Sequence, residues 1–351
     1  MTIHDLEQMA SDLVADGKGI LAADESVATL TRRFDRLGIQ STEQSRRRYR
    51  EMLFTTPGVA ACISGVILYD ETIRQKSSTG TPFTQVLERQ GIVPGIKVDT
   101  GAKPLAGSPD ELVTEGLDGL RDRLAEYRGL GARFAKWRAV ISVGDTRPSS
   151  RCVSVNAHAL ARYAALCQEA GLVPIVEPEV LMDGAHTIEL CEEVTSAVLH
   201  VVFRDLVEQR VALECMLLKP SMVIAGQDCP RQAPVSEAAA ATLRCLRRHV
   251  PAAVPGIVFL SGGQSARLAT DHLSAINRLP GSKPWKISFS YGRALQDPAL
   301  AAWDGRDDNV GAGQQALSHR AWCNRAASLG TFTDDMETAA TAGDRGASDD
   351  D

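Results

Sequence analysis

"LVPIVEPE", residues 172–179, starts as an apolar run and ends in two carboxylates spaced two apart, Glu177 and Glu179. A strand turns alternate residues to one face, so these two acids point the same way, and charge on one side of an apolar strand is costly unless that side is a polar cavity. Seven further short apolar segments recur, and nearly all of them are closed by a charge or a glycine-serine turn. They are "GILAAD" from Gly19, "ISGVILYD" from Ile63, "PGIKVD" from Pro94, "ARFAKWRAVI" from Ala132, "LECMLLKP" from Leu213, "GIVFLSGG" from Gly256 and "WKISFSYG" from Trp285.

Eight candidate strands roughly 30–45 residues apart have the spacing of βα units. Between them lies helix punctuation. Ser41 to Gln44 reads as a capping box, Thr81-Pro82 as an N-cap with proline in the first turn, and Gly91, Gly131 and Gly171 fall where C-caps belong. Eight strands alternating with helices predict an α/β fold, a closed (β/α)8 TIM barrel with an N-terminal helix. Periodicity cannot show closure, so an open doubly wound sheet is the alternative.

The chain of 351 residues is 44% hydrophobic, enough for a large core. Its net charge of −6 sits in residues 331–351, where Asp334, Asp335, Glu337, Asp344, Asp349, Asp350 and Asp351 oppose Arg345 alone, so residues 1–330 are neutral. A neutral body with an acidic tail does not suggest a nucleic-acid binder. The expected organisation is one barrel domain over 1–330 and a mobile, disordered acidic tail over 331–351. The start "MTIHDLEQMA" lacks a basic region followed by an apolar run, and no apolar stretch approaches the ~18 residues of a membrane span, which predicts a soluble, unprocessed chain with no membrane partner. Eight cysteines scattered singly read as reduced core residues of a cytoplasmic protein, and seven dispersed histidines predict no dedicated metal site.

In a barrel of this kind the C-terminal strand ends build the active site. Period two pairs Lys97 with Asp99, Lys136 with Arg138 and Glu177 with Glu179. Each alone reads first as a snorkelling or salt-bridged strand end, but five strands converge. Lys219, held between apolar residues and Pro220, reads as a nucleophilic amine whose ammonium is disfavoured by desolvation and by Lys136 or Arg138 nearby. Such an amine attacks a ketone to form a Schiff base, and Glu177 is placed to act as the acid that expels water. Asp24 suits either a base or the cap of the helix that follows. "SGGQS" and "SYGR" offer backbone N–H groups and Arg293 to a phosphate, although each is also an ordinary tight turn.

Together "GKGILAADES", "GVILYDET", "GIKVD", "PLAG", "EGLDGL", "FAKWR", "ARYAALCQ", "GLVPIVEPE", "LLKP", "FLSGGQS", "AIN" and "FSYGRALQ" resemble the class I, Schiff-base-forming fructose-bisphosphate aldolases. The blocks run in family order from about Gly17 to near Gly330. The resemblance implies reversible cleavage of fructose 1,6-bisphosphate to dihydroxyacetone phosphate and glyceraldehyde 3-phosphate, in glycolysis and gluconeogenesis, without a metal or cofactor, by a homotetramer. It makes Lys219 the Schiff-base lysine, Glu177 the acid/base for dehydration and hydrolysis, Asp24 the acceptor of the C4 hydroxyl proton, and Lys136 the cation supporting carbinolamine formation. Ser261, Gly262, Gly263, Gly292 and Arg293 would hold one phosphate. Arg33, Ser26, Lys97 and Arg138 would serve the other phosphate or the sugar hydroxyls.

The chain departs from the family at Thr29, Thr100 and Ser221, which predicts tuned affinity rather than lost activity. It ends in Asp349-Asp350-Asp351 with no tyrosine after Tyr291, which leaves the C3 proton transfer unassigned. The rival readings are a Schiff-base aldolase for another ketose, fructose 1-phosphate or sedoheptulose 1,7-bisphosphate, and a weakly catalytic scaffold that keeps the fold.

Overall fold

The computed structural model describes residues 2–338. Ten strands occur among them: β1 Gly19–Ala22, β2 Ile63–Leu68, β3 Val93–Lys97, β4 Gly101–Leu105, β5 Ser108–Glu115, β6 Phe134–Ile141, β7 Val173–Val180, β8 Leu217–Leu218, β9 Gly256–Phe259 and β10 Lys286–Tyr291. All but β4 and β5 close into a barrel in the order β1-β10-β9-β8-β7-β6-β3-β2. The pairs are parallel, and β1 bonds to both β2 and β10, so no edge remains and the open-sheet alternative falls. The fold is the TIM barrel expected, with helices between successive strands.

Strand parity sorts the core into two layers. Outward residues such as Leu21, Ala135, Trp137, Val176 and Leu218 pack under the surrounding helices. Inward residues Ile20, Ala22, Phe134, Val173, Ile175, Cys215 and Leu217 form a separate apolar cluster. The N-terminal helix Ile3–Leu13 joins that inner cluster through Leu6, Ala10 and Leu13, plugging one end of the barrel with its apolar face. The inward stripes then change character along each strand. Ile20 and Ala22 lead to Asp24, Phe134 to Lys136 and Arg138, Val173 and Ile175 to Glu177 and Glu179, and Leu217 to Lys219. An apolar floor thus carries a charged upper layer, which is what makes that layer a site.

The floor is tightly fitted. Phe134 is fully buried, and a Cβ built on Gly95 would lie 2.3 Å from its ring. Gly95→Ala should therefore lower the thermal midpoint, at a cost of about 1–3 kcal/mol from overpacking, with the ring forced off its rotamer. An unchanged midpoint in a calorimetric scan would show the ring has room to move.

Several local expectations shift. The capping box is made by Thr42 and Ser45 rather than Ser41 and Gln44, because the helix Glu43–Phe54 starts one residue later. Pro82, not Thr81, occupies the N-cap position of Phe83–Glu88, and no side chain bonds there. Gly131 and Gly171 take positive φ just past their helices, as a C-cap glycine does. The antiparallel hairpin of β4 and β5, inserted between β3 and β6, was not expected.

The mobile tail expected from residue 331 is corrected at its start. Phe332 is buried, the Arg267 guanidinium stands 5.2 Å over its ring, and the short helix Asp334–Thr338 is held by Glu337–Arg320 and Asp334–Arg267 ion pairs. One aromatic anchor in a polar segment is enough to dock it. The rest of the expected tail, residues 339–351, lies outside the described residues. All eight cysteines are free and buried. Among the described residues no helix is long and apolar enough to cross a membrane.

Candidate active site

Four inward side chains from four strands meet above the apolar floor. Lys219 follows β8 directly, and its N–H bonds to the Val176 carbonyl at 2.8 Å, which continues the barrel register by one residue. Its Nζ lies 3.1 Å from Glu177 Oε1. The other oxygen of Glu177 is 3.2 Å from Lys136 Nζ, and Lys136 Nζ is 2.8 Å from Asp24 Oδ2. The result is a line of alternating charge, Lys219, Glu177, Lys136, Asp24. Sequence reasoning had set the two lysines side by side as like charges; the structure places Glu177 between them.

Burial is the largest influence on each interior member and opposes ionisation. For Asp24 it is outweighed by Lys136 and then Lys219, so the carboxyl is held well below its ordinary range. Glu177 is likewise buried, yet Lys136 and Lys219 lower it. Lys136 is held above the ordinary range of an amine because Asp24 and Glu177 outweigh its burial. Asp24 is not a helix cap: Ser26 Oγ accepts from the Thr29 N–H and does that job, which frees Asp24 for Lys136.

The quartet opens into a cavity of about 610 Å³. Ser26, Arg33, Lys97, Arg138, Ser261, Gly262, Gly292 and Arg293 line it together with the quartet. Gly263 stands just behind, where an added Cβ would come within 3.3 Å of the Arg293 guanidinium. Gly262 and Gly263 both take positive φ, so this turn needs glycine. Arg293 opens the helix Arg293–Trp303, whose first N–H groups have no partner within the helix, and Arg293 makes no ion pair among the described residues.

The remaining cations are already matched. Lys97 pairs with Asp99, Arg138 with Glu179, and Arg33 with both Glu25 and Asp297. Arg33 therefore reaches the cavity as a neutralised, buried group, while Arg32 and Arg36 of the same helix line it without such partners among the described residues. Sequence reasoning missed Glu25, which takes Arg50 at 2.8 Å and Gln296 Nε2 at 2.9 Å; Gln296 also donates to the Ala22 carbonyl. This network fixes the backbone on both sides of Asp24. Its members are separated by up to 274 residues, and no local pattern announces them.

The family described as "Glycolytic: Fructose-bisphosphate aldolase class-I" matches residues 5–348. The chain is 57% identical over 333 residues to the "Probable fructose-bisphosphate aldolase class 1" of Xanthomonas campestris pv. campestris, covering 95% of this chain and 99% of that protein. The chain belongs to the class I fructose-bisphosphate aldolase family. The "Fructose-bisphosphate aldolase" of Echinococcus multilocularis is 52% identical over 96% of this chain and 93% of its own length. The "Fructose-bisphosphate aldolase 6, cytosolic" of Arabidopsis thaliana is 50% identical over 94% of each. A solved aldolase of Plasmodium falciparum, in complex with TRAP and a small-molecule inhibitor, superposes with a TM-score of 0.93 at 46% identity, covering 94% of this chain and 95% of that one. This aldolase is a lyase acting on fructose 1,6-bisphosphate.

Proposed function

We propose that the aldol cleavage runs through a Schiff base on Lys219, with Glu177, Lys136 and Asp24 as its acid/base machinery. The observation that carries this is the alternating line of charge, which joins a buried amine to two carboxylates with no gap wider than 3.2 Å. Lys219 hands its proton to Glu177 Oε1 and its lone pair adds to the C2 ketone. The C2 oxygen takes one proton from the adding nitrogen and a second back from Glu177, water leaves, and an iminium remains while Lys136 balances the carboxylates. Asp24, an anion at working pH, takes the C4 hydroxyl proton. The C3–C4 pair flows into the iminium, and glyceraldehyde 3-phosphate departs. The enamine then gains a proton at C3, and hydrolysis releases dihydroxyacetone phosphate and the Lys219 amine.

The cationic iminium does the polarising that a metal ion does in other carbonyl chemistry, so the reaction proposed is metal-independent. Triose phosphate release from fructose 1,6-bisphosphate should keep its kcat after EDTA treatment. Loss of cleavage that returns on adding a divalent cation would overturn this reading.

For the substrate, the Ser261–Gly263 turn, Gly292 and Arg293 hold one phosphate, and the Ser26, Arg33, Lys97 and Arg138 side holds the other phosphate or the hydroxyls. Arg293→Ala removes a charge-assisted contact to phosphate and should raise KM for the bisphosphate about 10–100-fold while kcat changes less. A KM unchanged in steady-state assay would place the phosphate elsewhere. The family resemblance and the cytosolic Arabidopsis relative support a cytoplasmic homotetramer, which light scattering of the purified chain tests.

A further inference from the structure

The last long helix, Val310–Ser328, carries His319 and Cys323 one turn apart on the same side. Cys323 Sγ and His319 Nε2 are 3.7 Å apart. Two donors of a tetrahedral zinc ion at ordinary Zn–S and Zn–N lengths stand about 3.6 Å apart. A third donor comes from the docked segment: a ligand atom from each of His319, Cys323 and Glu337 lies within 4.8 Å of the others. Dispersed histidines gave no hint of this, because the third ligand belongs to a different helix.

Arg320 holds Glu337 Oε1, while Oε2 is enclosed and makes no hydrogen bond. An enclosed carboxylate oxygen without a partner is costly, and a bound cation removes that cost. Nearby positive charge is partly offset, because Arg267 is paired with Asp271 and Asp334. None of the three ligands lines the active-site cavity.

We propose that His319, Cys323 and Glu337 form a zinc site, with solvent as fourth ligand, that staples the helix Asp334–Thr338 to the helix Val310–Ser328. A nitrogen, sulfur and carboxylate set selects zinc over magnesium or calcium. Binding forms a Zn–S bond as the Cys323 S–H bond breaks, and the thiol proton passes to solvent. The site is structural, so it stands or falls independently of the Schiff-base chemistry.

The full-length chain, stripped of metal and desalted, is titrated with Co²⁺ followed by near-ultraviolet absorption, and with Zn²⁺ by calorimetry. The expected result is saturable binding of one ion per chain, a thiolate-to-cobalt charge-transfer band, and a Zn²⁺-dependent rise in Tm. Cys323→Ser should abolish the band and the Tm rise, and His319→Gln should weaken Zn²⁺ binding at least about tenfold, both with aldolase activity retained as evidence of folding. The absence of saturable binding in the wild type, or a band that survives Cys323→Ser, overturns the proposal. Should Cys323→Ser not fold, undiminished affinity in His319→Gln overturns it equally.

Discussion

Lys219→Met should lower kcat for fructose 1,6-bisphosphate cleavage by about 10⁴-fold or more and leave the barrel folded. Removing a nucleophile that acts as one unit with its base costs on this scale, because nothing else in the cavity can make the covalent intermediate. The neighbouring amine cannot substitute: Lys136 is committed to Asp24 at 2.8 Å and to Glu177 at 3.2 Å. Stability changes little by comparison, since Glu177 keeps Lys136 as a partner and methionine fills the stem of Lys219 against its apolar neighbours. Steady-state assay and circular dichroism of the variant check both halves. Activity within about tenfold of wild type would remove Lys219 from the chemistry.

Lys136→Met should be the more damaging to the fold. Among the described residues Lys136 is the one cation that touches both buried carboxylates, so its loss orphans Asp24 and halves the support of Glu177. Breaking a buried charge pair from one side costs about 3–5 kcal/mol. The pH dependence follows from the sign of the shifts. Asp24 and Glu177 are both held below their ordinary values of 3.8 and 4.5, so the stability they lend is present above those values and fades as pH falls below them. In Lys136→Met burial is opposed by Lys219 with less help, so this contribution shrinks, and the variant should be destabilised at neutral pH and less sensitive to acid between the two states. Urea melts at neutral and acid pH measure it. Equal melting midpoints for Lys136→Met and Lys219→Met would show that the bridge has no special weight.

The barrel was legible because each strand states its own fate. "LVPIVEPE" and "LLKP" pair an apolar stem with a charge that only a polar interior tolerates, and eight such segments at βα spacing leave little choice of fold. Closure itself was not legible, since it depends on β1 meeting β10 across almost the whole chain. The hairpin of β4 and β5 escaped notice because Lys103 and Pro104 are exposed and the ribbon has no continuous buried face to impose an apolar period. Of the candidate site residues, Lys136 and Glu177 were read from strand parity, and Lys219 from its apolar, proline-flanked setting at a strand end. The groups that hold them, Glu25 with Arg50 and Gln296, are chosen by tertiary packing and leave no local signature. The sharpest revision concerns charge: the lysines are not simply two like cations in an apolar pocket, since Glu177 bridges them and gives Lys219 an adjacent proton acceptor.

The mechanism turns on one bond. The purified chain is incubated with dihydroxyacetone phosphate, reduced with borohydride, digested and analysed by peptide mass spectrometry. Reduction of an imine should leave the triose phosphate skeleton covalently on Lys219 and on no other lysine of the cavity. An adduct on Lys136 or Lys97 instead, or no adduct while the same sample still cleaves fructose 1,6-bisphosphate, would contradict it.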